Sequence, residues 1–358
     1  MGRGLMERGL MERSAGPRLG DRRLRWALAG VLLLYGLVSL ADVLAWHDPQ
    51  EQFRDYPYAP PTQIHVFDDS GLTWPHVYAL EVVPGTFDEY REDRNTRLPL
   101  QFWVERPTPR QFLGIDIHRQ WIGVESPGTL FLLGTDRFGR DMWSRLLHGA
   151  RASLYAGLLA GLLSAGLGLG LGSLAGYAGG AVDASIMRLV ELVSSLPWIY
   201  LLMSFRAFMP LDLGPLQTFV LLSALIGCLG WGRTARVVRG VSAGVRQRDF
   251  VRAARGFGAS HGRILRDHVW PHALPVTATQ LALLIPQYIL AEVSLSFFGL
   301  GMDDGHPSLG NLLAELQNVQ VITNYWWMAI PAIGLVGVIL SYHQVSSALQ
   351  HRLGAAAD

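Results

Sequence analysis

Residues 249–271 read DFVRAARGFGASHGRILRDHVWP, an arginine-rich stretch between two long apolar segments. The pattern predicts a short helix, a break at Gly258, a second short helix and a stop at Pro271. Ala253, Ala254 and Gly258 carry little or no side chain, so they leave a low surface on which another protein can sit. Arginines on either side can pair with acidic groups of such a partner. The alternative is a solvated basic loop at lipid headgroups, which would not require the small residues.

The chain around this loop is too apolar for an ordinary soluble protein. Of its 358 residues, 50% are hydrophobic and 16% are charged. A helix needs about 20 mostly apolar residues to cross a bilayer. Six segments are therefore predicted to span the membrane, at 25–45, 152–177, 184–208, 216–236, 274–300 and 326–346. Basic residues precede the first segment, but five more spans follow it, so it is predicted to be a retained signal anchor.

The distribution of arginine predicts the orientation of these spans. Seven arginines lie within residues 1–25 and nine within residues 233–266, whereas 209–215 and 301–325 contain none. Cytoplasmic loops carry an excess of positive charge. Both termini and the 233–273 loop are therefore expected in the cytoplasm, and the long polar block after the first span is expected outside.

Composition also excludes several kinds of chemistry. All 30 basic residues are arginine, so the chain has no lysine for a Walker A loop or for a Schiff base. Its single cysteine, Cys228, excludes a disulfide framework and a cysteine-based zinc site within one copy. His268 and His272 have metal-pair spacing, but Pro271 lies between them and no HExxH motif is present. The chain is therefore not expected to hydrolyse ATP itself.

Two features within the predicted spans suggest function or packing. Glu191, Glu292 and the nearby Ser294 are candidates for a translocation path or gate, because ionised side chains are expensive in a bilayer. Structural hydrogen bonds to neighbouring helices are an equally open interpretation. In the second span, two series of small residues each recur every fourth position, which predicts close helix packing within this subunit or against a partner; the first is Gly157, Gly161 and Ala165, and the second is Gly168, Gly172, Gly176 and Gly180.

Several motifs together resemble one family. Residues 249–271 have the form of the EAA loop that ends in a hydrophobic residue and proline, and 290–301 match the expected end of the fifth span. Ahead of the second span lies a segment that resembles GTDxxGRDxxSRxxxGARxSL; its first matching residues are Gly134, Thr135, Asp136, Gly139, Arg140 and Asp141. These motifs are similar to those of bacterial ABC importer permeases, specifically the C-type permease of the dipeptide, oligopeptide and nickel transporter family.

The chain departs from this family in two informative places. Arg252 stands where the family usually has the glutamate of EAA, which reverses the charge there. About 70 residues are inserted between the Ala59-Pro60-Pro61 linker and the GTD motif. Strand-like stretches at Gln63–Phe67, Val77–Val82 and Leu98–Glu105 predict that this insert is small and β-rich. Its role stays open between docking a binding protein, contacting another permease and neutral elaboration.

The resemblance implies an all-α polytopic membrane protein with six transmembrane helices and the ABC importer permease fold. To this fold the chain is expected to add the small β-rich extracytoplasmic insert between helices 1 and 2. The expected layout is a cytoplasmic head 1–24, a first span 25–45, the insert 46–133, an amphipathic GTDxxGRD segment 134–151, a permease core 152–346 containing the coupling loop 237–273, and a cytoplasmic tail 347–358.

The resemblance also implies partners and site residues. The expected function is half of the translocation pathway of an ATP-driven importer for peptides or related small solutes, in a bacterial inner membrane. The expected partners are a second, related permease, two ATP-binding subunits that hold ATP and Mg²⁺, an extracytoplasmic substrate-binding protein and the lipid bilayer. We expect no cofactor and no metal in this chain. We expect no nucleic acid as a partner. The loop residues expected to couple to the ATPase are Arg252, Ala253, Ala254, Gly258, Ala259, Ser260 and Pro271.

Two other functions remain as alternatives. A non-transporting membrane sensor or scaffold with a permease fold is suggested by the charge reversal at Arg252. An intramembrane enzyme would require a nucleophile with its base or a metal cluster, and the sequence shows neither.

Overall fold

A computed structural model describes residues 22–68, 71–83, 85–86, 89–112, 115–125, 128–210 and 213–355. Most of the predicted head, 1–24, and the last residues of the predicted tail lie outside this range. The helices are α1 (22–39), α2 (Ala41–Leu44), α3 (Met142–Ala178), α4 (Gly180–Ser195), α5 (Trp198–Ala207), α6 (Pro215–Arg246), α7 (Asp249–Gly256), α8 (His261–Ile264), α9 (Trp270–Phe297), α10 (Leu309–Ala314), α11 (Val319–Asn324) and α12 (Ile330–Ala355). The strands are β1 (His65–Asp68), β2 (Gly71–Val82), β3 (Tyr90–Pro99), β4 (Gln101–Phe112) and β5 (Ile115–Gly123).

Helices dominate, and four of those described are long and apolar enough to cross a membrane: Met142–Ala178, Pro215–Arg246, His261–Phe297 and Trp326–Gln350. The pair formed by α4 and α5 would make a fifth span. The helix α1 begins with three arginines and is not among these candidates. The described helices therefore support four to five spans, and the count of six stays a prediction.

The predicted third span is not one continuous helix. It is divided into α4 and α5, whose axes differ by 84°. Leu196, which precedes Pro197, has extended backbone angles of −85° and 138°. Proline disfavours helical angles in the residue before it, so the break follows from Pro197.

The predicted stop at Pro271 is wrong, because the helix continues through it. A π-helical turn at Leu265–Val269 joins α8 to α9, and the Trp270 amide donates to the Leu265 carbonyl. The wider turn brings Pro271 into the first turn of α9, where the missing amide hydrogen costs little.

The chain folds into two compact units, of which the first comprises residues 22–33, 154–295 and 336–355. Its helices pack closely where α3 carries glycine. A Cβ atom on Gly168 would lie 2.5 Å from Thr234 Cβ, and one on Gly172 would lie 2.6 Å from the Ala235 carbonyl oxygen of α6. A Cβ atom on Gly161 would likewise come too close to the Ile285 side chain of α9. Close packing of small residues is thus confirmed, and it occurs within this chain.

The second unit comprises Leu34–Ser153 and Ser296–Leu335 and contains all five described strands. One antiparallel sheet has the order β1-β2-β3, with His76 opposite Pro99 and Val82 opposite Tyr90. The other is the antiparallel pair β4-β5. Their shared apolar cluster is small and contains Val77, Leu100, Val124 and Leu130.

Candidate functional site

The first candidate site is the docking segment, residues 249–271, which stands on a buried apolar cluster of the first unit. Val251 of α7, Ile264 of α8 and Val269 of the π turn have no accessible surface and pack with Tyr177 and Val245. Since each short helix buries only one or two residues, the cluster rather than helix propensity holds the segment in place.

The turn between α7 and α8 depends on glycine and on one tyrosine. Gly258 has a φ of +78°, a left-handed conformation that other residues rarely adopt. The Tyr177 hydroxyl lies 2.9 Å from His261 Nδ1. The guanidinium carbon of Arg255 lies 4.8 Å from the Tyr177 ring centre, a cation–π contact. These contacts tie both short helices to the end of α3.

The predicted coupling residues of the docking segment differ in exposure. Ala254 and Ala259 are partly buried and pack against the apolar cluster, so they contribute to packing as well as to the surface. Ala253, Gly258, Ser260 and Pro271 are exposed.

Arg252 and Phe257 are the largest features of that surface. The Arg252 side chain is 71% exposed and makes only a long, 3.7 Å contact with Asp249 Oδ1. Phe257 is 92% exposed. The arrangement can dock another protein through an aromatic ring and an arginine whose charge is nearly uncompensated.

The second candidate site is a membrane cavity of about 540 Å³ between α4–α5, α6 and α9. Its lining is apolar except for two arginines of α6 and their partners. Arg233 donates to Gln287 Oε1 at 2.7 Å, and Arg236 donates to Ser194 Oγ at 2.6 Å. The guanidinium groups are thus held by neutral side chains, so the cavity keeps their positive charge.

The three polar residues predicted for a path or gate are not brought together. Glu191 is exposed and lines a second cavity of about 620 Å³ with Arg236 and Arg239. Glu292 is only 4% exposed and lines neither cavity. Ser294 donates its hydroxyl hydrogen to the Leu290 carbonyl at 2.7 Å, a bond within its own helix.

The motif residues ahead of α3 form a buried polar hub in the second unit. Asp136 Oδ2 accepts from Arg140 Nε at 2.6 Å and lies 3.4 Å from Arg145 Nε. Arg140 also donates to the Asp304 carbonyl at 2.9 Å. Burial raises the pKa of Asp141, while His47 and hydrogen bonds from Ser144 oppose the rise.

Backbone geometry explains the other motif residues. Gly134 and Gly139 have φ values of +73° and +72°, and a Cβ atom on either would collide with neighbouring backbone. The Thr135 hydroxyl donates to the Tyr56 carbonyl at 2.6 Å and accepts from the Ala59 amide at 2.7 Å. This motif therefore has a structural role, because it binds the segment that contains Tyr56 and Ala59 next to the start of α3.

The comparisons with known proteins match the part of the chain that contains the docking segment and the membrane cavities. The family described as binding-protein-dependent transport system inner membrane component matches residues 168–354, more than half of the chain. The chain belongs to this family.

Two relatives show how similar this permease is to characterised members. The dipeptide transport system permease protein DppC of Bacillus subtilis is 31% identical over 221 residues, which are 62% of this chain and 67% of DppC. The oligopeptide transport system permease protein OppC of Escherichia coli K12 is 34% identical over 220 residues, 62% of this chain and 70% of OppC. The protein is thus a permease subunit of an ABC importer, and it has no ATPase site of its own.

One solved structure, titled as the MetNI methionine ABC transporter in inward-facing conformations, aligns with 58% of this chain and 97% of its own, at 18% identity and a TM-score of 0.43.

Sequence reasoning missed two features of the permease. Arg233, Arg236 and Arg239 recur every third residue, a spacing that places side chains on one face of α6. The third of them pairs with Asp183 Oδ1 of α4 at 2.5 Å. The second feature is the exposure of Phe257, which its position next to the Gly258 break would have indicated, because that position is typical of a loop tip.

Proposed function

We propose that this permease carries peptides or related small solutes and forms one half of a translocation pathway with a second, related permease. Two ATP-binding subunits hold ATP and Mg²⁺ and dock on residues 249–271. An extracytoplasmic binding protein delivers the solute. The chain crosses a bacterial inner membrane six times, with both termini in the cytoplasm and the 46–133 insert outside. The names of DppC and OppC support the class of solute.

The exposed docking segment is the observation that carries this proposal. It connects α6 and α9, two long apolar helices that line the membrane cavity of about 540 Å³. Force applied to α7 and α8 by an ATP-driven partner would pass through the shared cluster of Val251, Ile264 and Val269 into both helices. Such a displacement would alternate access to a cavity that these helices line.

Reconstitution tests the proposal directly. The permease is inserted into proteoliposomes with and without its candidate partner permease, ATP-binding subunits and binding protein, and uptake of labelled peptide is measured. Uptake is expected only from the complete set and only with ATP. Peptide uptake by this chain alone would overturn the proposal. ATPase subunits that bind but show no solute-stimulated turnover would favour a non-transporting sensor.

Charge reversal at Arg252 tests the docking surface. Exposed ion pairs are worth about 0–1 kcal/mol, so Arg252→Glu is expected to weaken binding of the ATP-binding subunits up to roughly fivefold by repelling an acidic partner group. Arg94→Glu, an exposed residue of β3, is the matched control and should bind normally. Unchanged affinity of Arg252→Glu would mean that position 252 faces solvent in the complex.

A further inference from the structure

The second unit contains a pocket of about 230 Å³ that the proposed transport function does not use. Its lining comes from the segment after α2, from β4 and β5, and from the loop after β5. A water molecule occupies about 30 Å³ of liquid, so the pocket corresponds to roughly eight waters. That volume suits a small molecule rather than a segment of another protein.

Arg106 forms the most deeply buried charged part of the lining and is only 8% exposed. Its terminal nitrogens donate to the carbonyls of Asp42, Val43 and Ala45, at 3.3, 2.9 and 3.1 Å, at the end of α2. Its Nε is buried and has no hydrogen-bond partner. The side chain is therefore fixed by the backbone and leaves one donor uncommitted.

Arg110, four residues along β4, lines the same pocket and leaves more donors uncommitted. Both of its terminal nitrogens are buried and have no hydrogen-bond partner among the residues that the structure describes. Within the part of the chain that the structure describes, neither Arg106 nor Arg110 makes an ion pair. Burying a guanidinium without an anion is unfavourable, so a ligand that supplies one would be bound strongly.

Arg106 remains able to bind an anion at neutral pH. Burial, and to a lesser extent the charge of Arg110, lowers the pKa of Arg106 to about 10. Burial likewise lowers the pKa of Arg110, while the nearby charges of Asp48, Asp42, Glu51 and Asp141 oppose the fall. The guanidinium of Arg106 is still protonated near pH 7, and its Nε–H can donate to a carboxylate.

The exposed part of the lining has the opposite charge. Asp48, Glu51 and Glu105 are exposed lining residues, and Asp48 Oδ1 already accepts from the Gln50 amide at 2.8 Å. A ligand that enters past these carboxylates and reaches the arginines meets negative charge first and positive charge inside. The outer carboxylates repel a simple anion. A zwitterion can place its positive group near these carboxylates and its negative group near the arginines.

We propose that this pocket binds a small zwitterion, an amino acid or a short peptide, with its carboxylate on Arg106 and Arg110 and its ammonium group toward Asp48 and Glu51. None of these residues belongs to the proposed pathway, and the site does not depend on which solute the permease carries.

Equilibrium dialysis tests the proposal with the full chain in nanodiscs, without ATP, partner subunits or binding protein. The probe is labelled alanylalanine. Saturable binding of one molecule per chain is expected. Alanylalanine amide, which lacks the carboxylate, and N-acetyl-alanylalanine, which lacks the ammonium group, should each bind at least tenfold more weakly. Acetate and inorganic phosphate should compete poorly.

Variants locate the binding on the chain. Arg110→Gln should weaken alanylalanine binding at least tenfold, and Glu51→Gln should weaken it without affecting the N-acetyl probe. Arg91→Gln, an exposed residue of the other sheet, is the matched control and should bind normally. Arg236→Gln, in the membrane cavity, should also leave this binding unchanged.

Several outcomes would overturn the proposal. They are no saturable binding to the wild-type chain, equal binding of the amide probe, or unchanged binding by a folded Arg110→Gln. Competition by phosphate or acetate at equal concentration would show an adventitious ion site only. If Arg110→Gln does not fold, the probe comparison on the wild-type chain still decides. A failure to bind alanylalanine in this pocket would not change peptide uptake by the assembled transporter, so each proposal can be disproved without the other.

Discussion

Phe257 and Val251 belong to the same short segment but have opposite environments, since one is 92% exposed and the other has no accessible surface. A large exposed aromatic ring next to a glycine turn contributes nothing to the packing of its own chain. Aromatic side chains of this kind are frequent anchors of protein interfaces.

We therefore expect Phe257→Ala to impair docking without impairing folding. Burying a phenylalanine is worth about 1.5–3 kcal/mol, so binding of the ATP-binding subunits should weaken at least roughly tenfold. The melting temperature of the isolated permease should stay the same, because the ring makes little contact within the chain. Phe208→Ala, at a residue 87% exposed outside the docking segment, is the control. Equal affinity of the two variants would remove Phe257 from the interface.

Glu315 follows α10 in the second unit and shares an environment with the buried hub. Burial is the main cause that raises its pKa from the ordinary 4.5 to about 7, and the charge of Asp136 adds to it. Arg145, Arg137 and Arg140 oppose the rise. The folded chain therefore keeps this carboxyl protonated at pH values where the unfolded chain releases the proton.

The sign of the pH dependence follows from that difference. Between about pH 4.5 and 7 the folded state binds more protons, so stability falls as pH rises, by a total on the order of 3 kcal/mol. Glu315→Gln should flatten this part of the profile of melting temperature against pH, measured in detergent. Glu125→Gln, an exposed carboxyl, should keep the wild-type slope. An unaltered slope in Glu315→Gln would assign the effect to another group.

At the scale of elements, the contact of α3 with α6 depends on glycines on only one face of α3. Gly172 approaches the Ala235 carbonyl, whereas a Cβ atom on Gly170 would have no neighbour within 4 Å. The two positions lie in the same helix two residues apart, so they form a matched pair for substitution.

Gly172→Ala is expected to destabilise the isolated permease by about 1–3 kcal/mol, because the added methyl group overpacks the helix contact. Gly170→Ala should be neutral or stabilising by up to about 1 kcal/mol, since alanine favours the helix more than glycine does. Thermal unfolding of both variants in the same detergent measures the difference. If both change stability alike, the glycine spacing reflects helix flexibility and not close packing.

The break between α4 and α5 and the continuous passage through Pro271 show how context decides the effect of proline. Pro197 follows a residue that can become extended, and the two helices diverge by 84°. Pro271 follows a π turn, which leaves room for its ring in the first turn of α9. Composition and local pattern predict one continuous span, 184–208, through Pro197 and a stop at Pro271, and the structure shows the reverse at both positions.

At the scale of the whole molecule, the proposed orientation separates the 46–133 insert from the docking segment by the membrane. The single native cysteine makes this testable. With Cys228→Ser as background, Asp116→Cys marks the insert and Ser260→Cys marks the docking segment. Both native side chains are exposed.

A membrane-impermeant thiol reagent should label Asp116→Cys in spheroplasts, and it should label Ser260→Cys only after the membrane is permeabilised. The background protein without cysteine should remain unlabelled in both conditions. Labelling of both positions from the same side would contradict an odd number of crossings between them and would overturn the proposed topology.

The sequence by itself determined the apolar segments, the helix–glycine–helix form of residues 249–271 and the absence of a lysine for ATP chemistry. These features depend on composition and on neighbours a few positions away, which periodicity reports directly. The resemblance to permeases followed from motifs of the same local kind, and the match over residues 168–354 confirms it.

Only the tertiary structure decided which side chains share an environment. It turned Ala254 and Ala259 toward the core and left Phe257 outside. It also placed Glu191 and Glu292 in different surroundings and brought the buried Arg106 and the partly exposed Arg110 into one pocket. Burial and pairing arise from contacts between residues that are distant along the chain, so local pattern carries no signal for them.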